Sequence, residues 1–466
     1  MAIKKYTVSH WIDTLTNLLT RHTSIAPLVI LRIAFGAIMF ISIIRFIGKG
    51  WIEAYYINPV FHFTYYGFDW IRPIGATGMC LIFYVMAIAS LLVVFGLFYK
   101  WAITIFFLCF TYVELIDKTT YLNHYYFISI VCFLMIFVPA QRYFSFDAWR
   151  KPSLKATTIP SYFIFIFKAQ LFLIYFFAGI SKINGDWLLL AMPLKVWLPV
   201  HADMPFIGSL LTQEWVAYVC SWSGLIFDLF IGFILFNRRT VYTGYFFVFV
   251  FHAFTALFFQ IGMFPYIMMS VTLIFFPDRF HQSIIKGFRA LVGKSTLTKA
   301  AITFIPSGFQ RKSLTVIFSL YFILQVLIPL RYLLYPGPLF WTEEGFRYSW
   351  RVMLMEKTGL TFFHVKDGDH GADREVVNAV FLSPLQEKMM STQPDMILQY
   401  AHFLGETYRG NGVKEPVVTV ESYVTLNGST SQPFIDKQVN LLKESESFCH
   451  KTWILPFAHP KFARCE

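Results

Sequence analysis

Residues 162–187 read YFIFIFKAQLFLIYFFAGISKINGDW. A helix that crosses a bilayer needs about 20 predominantly apolar residues, because hydrocarbon offers no partner to an unpaired backbone amide. The stretch 161–181 meets that condition, with Lys168 as its charged exception. The composition then switches abruptly, and Ser181, Lys182, Asn184, Asp186 and Trp187 follow in quick succession. The reading is a membrane-spanning helix with a polar cluster at one end.

Working outward, eight further stretches qualify as spans: 27–47, 77–98, 101–116, 125–140, 215–236, 241–258, 262–277 and 314–335. Those at 101, 125 and 262 are short. The expected fold is a mainly α integral membrane bundle of about nine spans, followed by a C-terminal α+β extramembrane domain. The expected divisions are an N-terminal segment 1–26, a transmembrane part 27–335 and an outer domain 336–466. In the first segment Trp11, Ile12, Leu15, Leu18 and Leu19 fit a helix lying on the membrane surface, and no cleavable signal peptide is expected. In the outer domain, 361–366 and 416–426 read as strands, Asn427-Gly428 as a tight turn and 384–408 as a helix.

Composition agrees. Hydrophobic residues make up 56% of the chain and charged residues 14%, against about 25% in soluble domains. The formal charge of +12 invites a nucleic-acid reading, but its distribution argues against one. Residues 1–335 hold 26 Lys+Arg against 11 Asp+Glu, whereas 336–466 hold 13 against 16. The excess sits beside the spans, at Arg142, Arg150, Lys151, Arg238 and Arg239 among others, where basic residues set orientation. The pattern places the N-terminus in the cytoplasm and, after an odd number of spans, the C-terminal domain in the periplasm or its equivalent. Cys80, Cys109, Cys132 and Cys220 read as small apolar fillers, while Cys449 and Cys465 could pair. No metal-type spacing occurs.

A charge within hydrocarbon costs several kcal/mol unless it is paired or faces a cavity, so each one needs a reason. Arg32, Arg45, Lys168, Asp228 and Arg331 raise that question, and Lys168 with Asp228 form a candidate pair across neighbouring helices. A second group clusters at one depth: Asp117, Lys118, Asn123 and His124; Lys182, Asp186 and Trp187; His252, Thr255 and Gln260. These residues are expected to converge on a cavity open to the outer face and to lipid, suited to a lipid-soluble cofactor meeting a water-soluble substrate. Lys182 stands out. A lysine stripped of water favours its neutral form, and a neutral amine is a general base. The plainer reading is a lysine snorkelling to the interface. His124 could equally be a hydrogen-bonded packing residue, and Asp117 and Asp186 could simply hold backbone amides or lysines.

Several motifs carry a resemblance. LIDKTTYLNHYY (115–126), YFFAGISKINGDW (175–187), FHAFTALFFQIGMFPY (251–266), EGFRYSWRVM (344–353), ILQYA (397–401) and KTWILPF (451–457) occur in one order along most of the chain. Together they resemble the vitamin K-dependent γ-glutamyl carboxylase family, whose membrane part is called the HTTM domain. The resemblance implies a carbon–carbon lyase that uses a reduced naphthoquinone, either vitamin K or menaquinol, with O₂ and CO₂ as co-substrates and no metal. The quinol is deprotonated by a motif lysine, which falls on Lys182, and its oxygenation to the epoxide yields a base strong enough to remove a γ-hydrogen from peptide glutamate. The carbanion then adds CO₂ and becomes γ-carboxyglutamate.

The family histidine falls on His124. Asn123, Trp187, His252, Thr255 and Gln260 are then expected to line the cofactor pocket, and Asp117, Lys118, Asp186 and Asp228 to serve as structural or charge partners. The implied partners are the quinol, a Glu-containing peptide or protein, and the membrane. Two departures stand against full equivalence. The family's lysine pair is Ser181-Lys182 here, and larger members extend beyond the position of residue 466 into a region linked with propeptide recognition. Quinol epoxidation without carboxylation, or quinone binding without catalysis, are the competing readings. A transporter is disfavoured, since no pair of Gly/Pro-broken spans sits in symmetric positions.

Overall fold

In hydrocarbon, backbone amides find partners within their own segment, so the apolar runs fold as helices. A computed structural model of the chain describes residues 19–259, 261–291, 302–368 and 371–458. Its apolar helices are, in order, α1 (Ala26–Gly48), α2 (Ala76–Phe95), α3 (Tyr99–Ile116) and α4 (Asn123–Phe137). They continue with α5 (Tyr162–Ser181), α6 (Glu214–Phe236), α7 (Val241–Phe258), α8 (Phe264–Thr272) and α9 (Gly308–Leu330). All but α4 and α8 are long and apolar enough to cross a membrane, which makes seven candidate spans among the described residues. The expected count of about nine is reached only by including these two shorter helices. With 15 residues, α4 rises about 22 Å, short of a hydrocarbon core of about 30 Å. It is tolerated because much of it is covered by protein, with Phe127, Val131, Leu134 and Met135 almost fully buried. Most of the N-terminal segment expected to lie on the membrane surface falls outside the described residues.

Buried charges inside the bundle have local explanations. Arg32 of α1 is fully buried and donates to the carbonyls of Val93 and Val94 at the C-terminal end of α2 and to Phe144 O. Gly96, at a φ of 61°, ends α2 in the left-handed region, and a Cβ there would collide with that guanidinium. Arg45 lies 5.1 Å from the Trp51 ring at the exposed end of α1, and Arg331 donates to Ile328 O and Arg347 O. Lys168 does not meet Asp228; its ammonium lies 5.4 Å from the Phe275 ring.

The two ends of the bundle differ. At one end β1 (His22–Ser24) and β2 (Thr158–Pro160) pair antiparallel, and Thr158 also bridges to Thr303. At the other, the α3–α4 connection and the segment after α5 meet the C-terminal region. That region contains a four-stranded sheet, in the order β4 (Arg374–Val376), β3 (Lys357–Asp367), β5 (Pro416–Leu426) and β6 (Gln432–Pro433). The pairing is antiparallel throughout, with Phe363 opposite Val420. The expected helix 384–408 is two helices, α10 (Pro384–Met390) and α11 (Pro394–Gly410). Pro394 opens the second, since proline lacks the amide a continuing helix would need. One face of α11, with Ile397, Tyr400, Ala401 and Leu404, packs with Phe363, Val365, Val418 and Val420 of the sheet. Asn427 and Gly428 take φ of 50° and 75°, as a tight turn of this kind requires, and lead back to β6. Cys449 is exposed, and Cys465 lies outside the described residues.

Candidate functional site

The α5 segment ends in a buried ion pair. Lys182 caps α5, and its ammonium donates to Asp228 Oδ2 of α6 at 2.7 Å and to Ala178 O at 3.4 Å. Both side chains are almost fully buried. The expectation of Lys168 as the mate of Asp228 is therefore corrected: its partner is Lys182. Register explains the choice. Gly179 of α5 abuts Leu229 and Phe172 abuts Gly232, so Asp228 faces the C-terminal end of α5. Lys168 sits 14 residues earlier, about 21 Å back along the helix axis. A buried lysine meets its desolvation cost most simply by pairing, and removing either partner would strand the other.

Trp187 forms the floor of this pair. Asn184 Oδ1 accepts from the Trp187 amide and caps the short helix Gly185–Leu190. The indole donates to Ser221 O at 2.8 Å, and Lys182 Nζ lies 5.2 Å from the ring centroid. Gly224, one turn before Asp228, lies beside both groups: a Cβ there would be in ordinary van der Waals contact with the indole at 3.5 Å and with Lys182 Cε at 3.9 Å.

Both histidines contact Phe264, the first residue of α8. Each imidazole centroid is 5.7 Å from that ring. His252 Nε2 lies 3.0 Å from the Tyr175 hydroxyl, whereas its Nδ1 is buried without a hydrogen-bond partner among the described residues. His124 packs on Tyr125 at 4.6 Å and makes no hydrogen bond among the described residues. Tyr175 is the link to Lys182, two turns further along the same face of α5. No hydrogen bond joins the lysine to either histidine. Thr255 Oγ1 donates to His252 O, which uses its proton within the helix. Gln260 lies outside the described residues.

The remaining polar candidates face the C-terminal domain. Lys118 and Arg347 both engage Asp395 of α11: Lys118 Nζ and Arg347 Nη1 each reach Oδ2 at 2.7 Å, and Arg347 Nη2 reaches Oδ1 at 3.2 Å. Burial alone would raise the Asp395 carboxyl, but the two cations outweigh it and hold the group well below the usual carboxylate range. Asp117 accepts from the Thr119 amide, from Gln386 Nε2 and from His62 Nδ1. Asn123 donates to Arg351 O, and Asp186 accepts from Asn427 Nδ2 at 2.7 Å. The polar end of the bundle is thus roofed by the domain and not open to the outer face as expected. The domain's own side chains, Arg347, Gln386, Asp395 and Asn427, form these clasps. Nothing in their local sequence marks them, because their partners are distant in the chain. Tyr175 was within reach, since it precedes Lys182 by seven residues in the same motif.

Two cavities accompany these groups. One of about 350 Å³ lies between α3 and α4, and one of about 620 Å³ lies between α1 and α8 beside Arg45. Neither is lined by Lys182, His124 or His252.

The chain matches two family models. Residues 20–280 match the HTTM domain, and residues 310–460 match the lumenal domain of vitamin K-dependent gamma-carboxylase. No solved structure matches it. The two matches follow each other in the order of the bundle and the sheet domain, and between them they take in Lys182, Asp228, both histidines and the Asp395 clasp. By the extent of these matches, the chain belongs to the vitamin K-dependent gamma-carboxylase family.

Proposed function

We propose that this protein is a membrane carboxylase that couples oxidation of a naphthoquinol by O₂ to carboxylation of glutamate side chains on a peptide or protein. The observation that carries the reading is the buried Lys182–Asp228 pair beneath the sheet domain, on the same helix face as Tyr175, whose hydroxyl holds His252. The quinol, when bound, supplies through its oxidation the strong base that no protein side chain could provide.

The residues present suit such a group. His252, whose Nδ1 has no hydrogen-bond partner among the described residues, and His124, both beside Phe264, would be the residues to hold the oxygens of a quinol. A lysine–aspartate pair carries no net charge whether its proton rests on nitrogen or oxygen. In a low-dielectric site the two arrangements are therefore closer in energy than in water. Asp228 Oδ2 can hold the proton while Lys182 Nζ presents a lone pair, so base chemistry needs no isolated buried charge. Trp187 packs against the amine, and the domain roof above this end of the bundle favours exclusion of water that would quench reactive carbanions.

The basic residues Arg142, Arg150, Lys151, Arg238 and Arg239 belong to the end away from the sheet domain, which supports a cytoplasmic N-terminus and a domain on the periplasmic or lumenal side. The test is direct. Purified protein receives reduced naphthoquinone, O₂, labelled bicarbonate and a Glu-containing peptide. Label in the peptide together with epoxide is expected, and both should vanish in Lys182→Ala. Epoxide without label would restrict the function to quinol oxidation, and survival of either product in Lys182→Ala would overturn the assignment.

A further inference from the structure

Glu114, an acid that the proposed chemistry does not use, is among the residues lining a separate cavity. Phe107, Thr111, Glu114 and Leu115 form one stripe of α3, and Tyr126, Ser129, Ile130 and Phe133 form the opposing stripe of α4. The space between them is about 350 Å³, within the usual range for small-ligand sites. Glu114 is the one acidic or basic side chain lining it, and it makes no ion pair and no hydrogen bond among the described residues. The described buried acids Asp117, Asp228 and Glu344 are partnered, whereas the half-buried Glu114 is not. An unpaired carboxyl beside an apolar space is costly, so the exception points to a missing cation.

The surroundings of Glu114 specify the kind of cation. Tyr348 sits among three other tyrosine rings, with centroids 5.1 Å from Tyr121, 4.9 Å from Tyr126 and 6.1 Å from Tyr65. Two of their hydroxyls are already committed: Tyr121 donates to Asn123 Oδ1 and accepts from the Tyr348 amide, and Tyr126 accepts from Gln325 Nε2. The face of a tyrosine ring carries a negative quadrupole that attracts ammonium groups. Tyr348 is held at a φ of 62°, a strained conformation for an aromatic residue. Towards the membrane interior the lining turns to Phe107, Ile130 and Phe133, and on the adjoining outer face of α3 Leu108 is exposed, as a lipid-facing residue would be.

We propose that this cavity binds an amphiphile with an ammonium head, the head between Glu114 and the tyrosines and the alkyl chain along the α3–α4 groove. Such a ligand comes either as a free long-chain amine or ammonium compound or as the amine headgroup of a phospholipid. The site is distinct from that of the proposed quinol chemistry. His124 and Tyr126 project about 200° apart around α4, so the two ligands would lie on opposite faces of one helix.

The probe is radiolabelled dodecyltrimethylammonium, added to the full-length protein in a non-ionic detergent. Saturable binding is expected, weakened at least about tenfold by Glu114→Gln, since the charge and part of the cation–π attraction act together. Ser129→Trp, which fills the cavity and leaves Glu114 in place, should also abolish it. Both variants should keep the wild-type melting temperature to within a few degrees when no ligand is present. Competition by phosphatidylethanolamine would assign the site to a lipid headgroup, and competition by dodecylamine alone to a free amphiphile. Equal binding of dodecyl sulfate, or unchanged affinity in Glu114→Gln, overturns the proposal.

Discussion

Two lysines at the same end of the bundle, Lys118 and Lys182, both reach an aspartate at 2.7 Å, yet they sit in different surroundings. Lys118 shares Asp395 with Arg347, so two cations converge on one carboxylate that joins the membrane part to the sheet domain. Lys182 has Asp228 to itself, inside the bundle, with a tryptophan face beneath it and the polar atoms of Tyr175 and His252 two turns away. The first arrangement is saturated and can only hold. The second is a single pair with no further cation on its carboxylate, which is why the proposed base chemistry is placed there. A buried lysine is thus informative only together with the number of partners around it.

The largest effect that would break this contrast is on turnover. Lys182→Ala and Lys182→Arg should each lower the rate of peptide labelling by about 10²–10⁴-fold, because guanidinium does not release its proton in this range. Lys118→Arg should remain active, as its role is to supply charge to Asp395. Equal losses in the two arginine variants would erase the distinction.

Next in size is stability. Asp228→Asn leaves Lys182 buried without a counter-charge and should cost about 3–5 kcal/mol, read as a lower melting temperature. The double variant Lys182→Met/Asp228→Leu should recover much of that loss while staying inactive. A destabilised double variant would mean that the pair is needed for folding in its own right.

The clasp has a pH signature. The Asp395 carboxyl is held below its unfolded value by Arg347 and Lys118, despite burial acting the other way. Its contribution is therefore fully present above about pH 4, the ordinary aspartate value, and is lost as pH falls through the lower folded value. Melting temperature should drop on acidification below about pH 4 in the native protein and respond less in Asp395→Asn, which is already weakened at neutral pH. Identical acid profiles would remove Asp395 from the clasp.

The smallest effect concerns the link between the two sites. Tyr175→Phe removes one hydrogen bond to His252 and should cost about 1 kcal/mol of stability and a few-fold in turnover. A loss as large as that of Lys182→Ala would instead place the Tyr175 hydroxyl in the chemistry itself.

Much of the fold was legible because hydropathy period and length speak directly to helices in lipid. The stretch 161–181 is realised as Tyr162–Ser181 and 416–426 as Pro416–Leu426. The break at Pro394 was missed, since α10 and α11 are separated by three residues and share one helical period. The candidate site was legible as a set of depths. Lys182, His124 and His252 fall at one end of their helices in both readings. Their neighbours were not legible, and neither was the roof made by Asp395, Gln386 and Asn427, whose partners lie hundreds of positions away for Gln386 and Asn427.

From its residues alone the chain determined where the spans begin, how deep each charge lies and that every buried charge would need an answer. Only the packed structure decided which answer each one received. Hydropathy places a side chain along a helix axis to within about a turn, whereas an ion pair forms only within about 4 Å. The seating of Gly179 against Leu229 and of Phe172 against Gly232 therefore delivered Asp228 to Lys182 and left Lys168 without it.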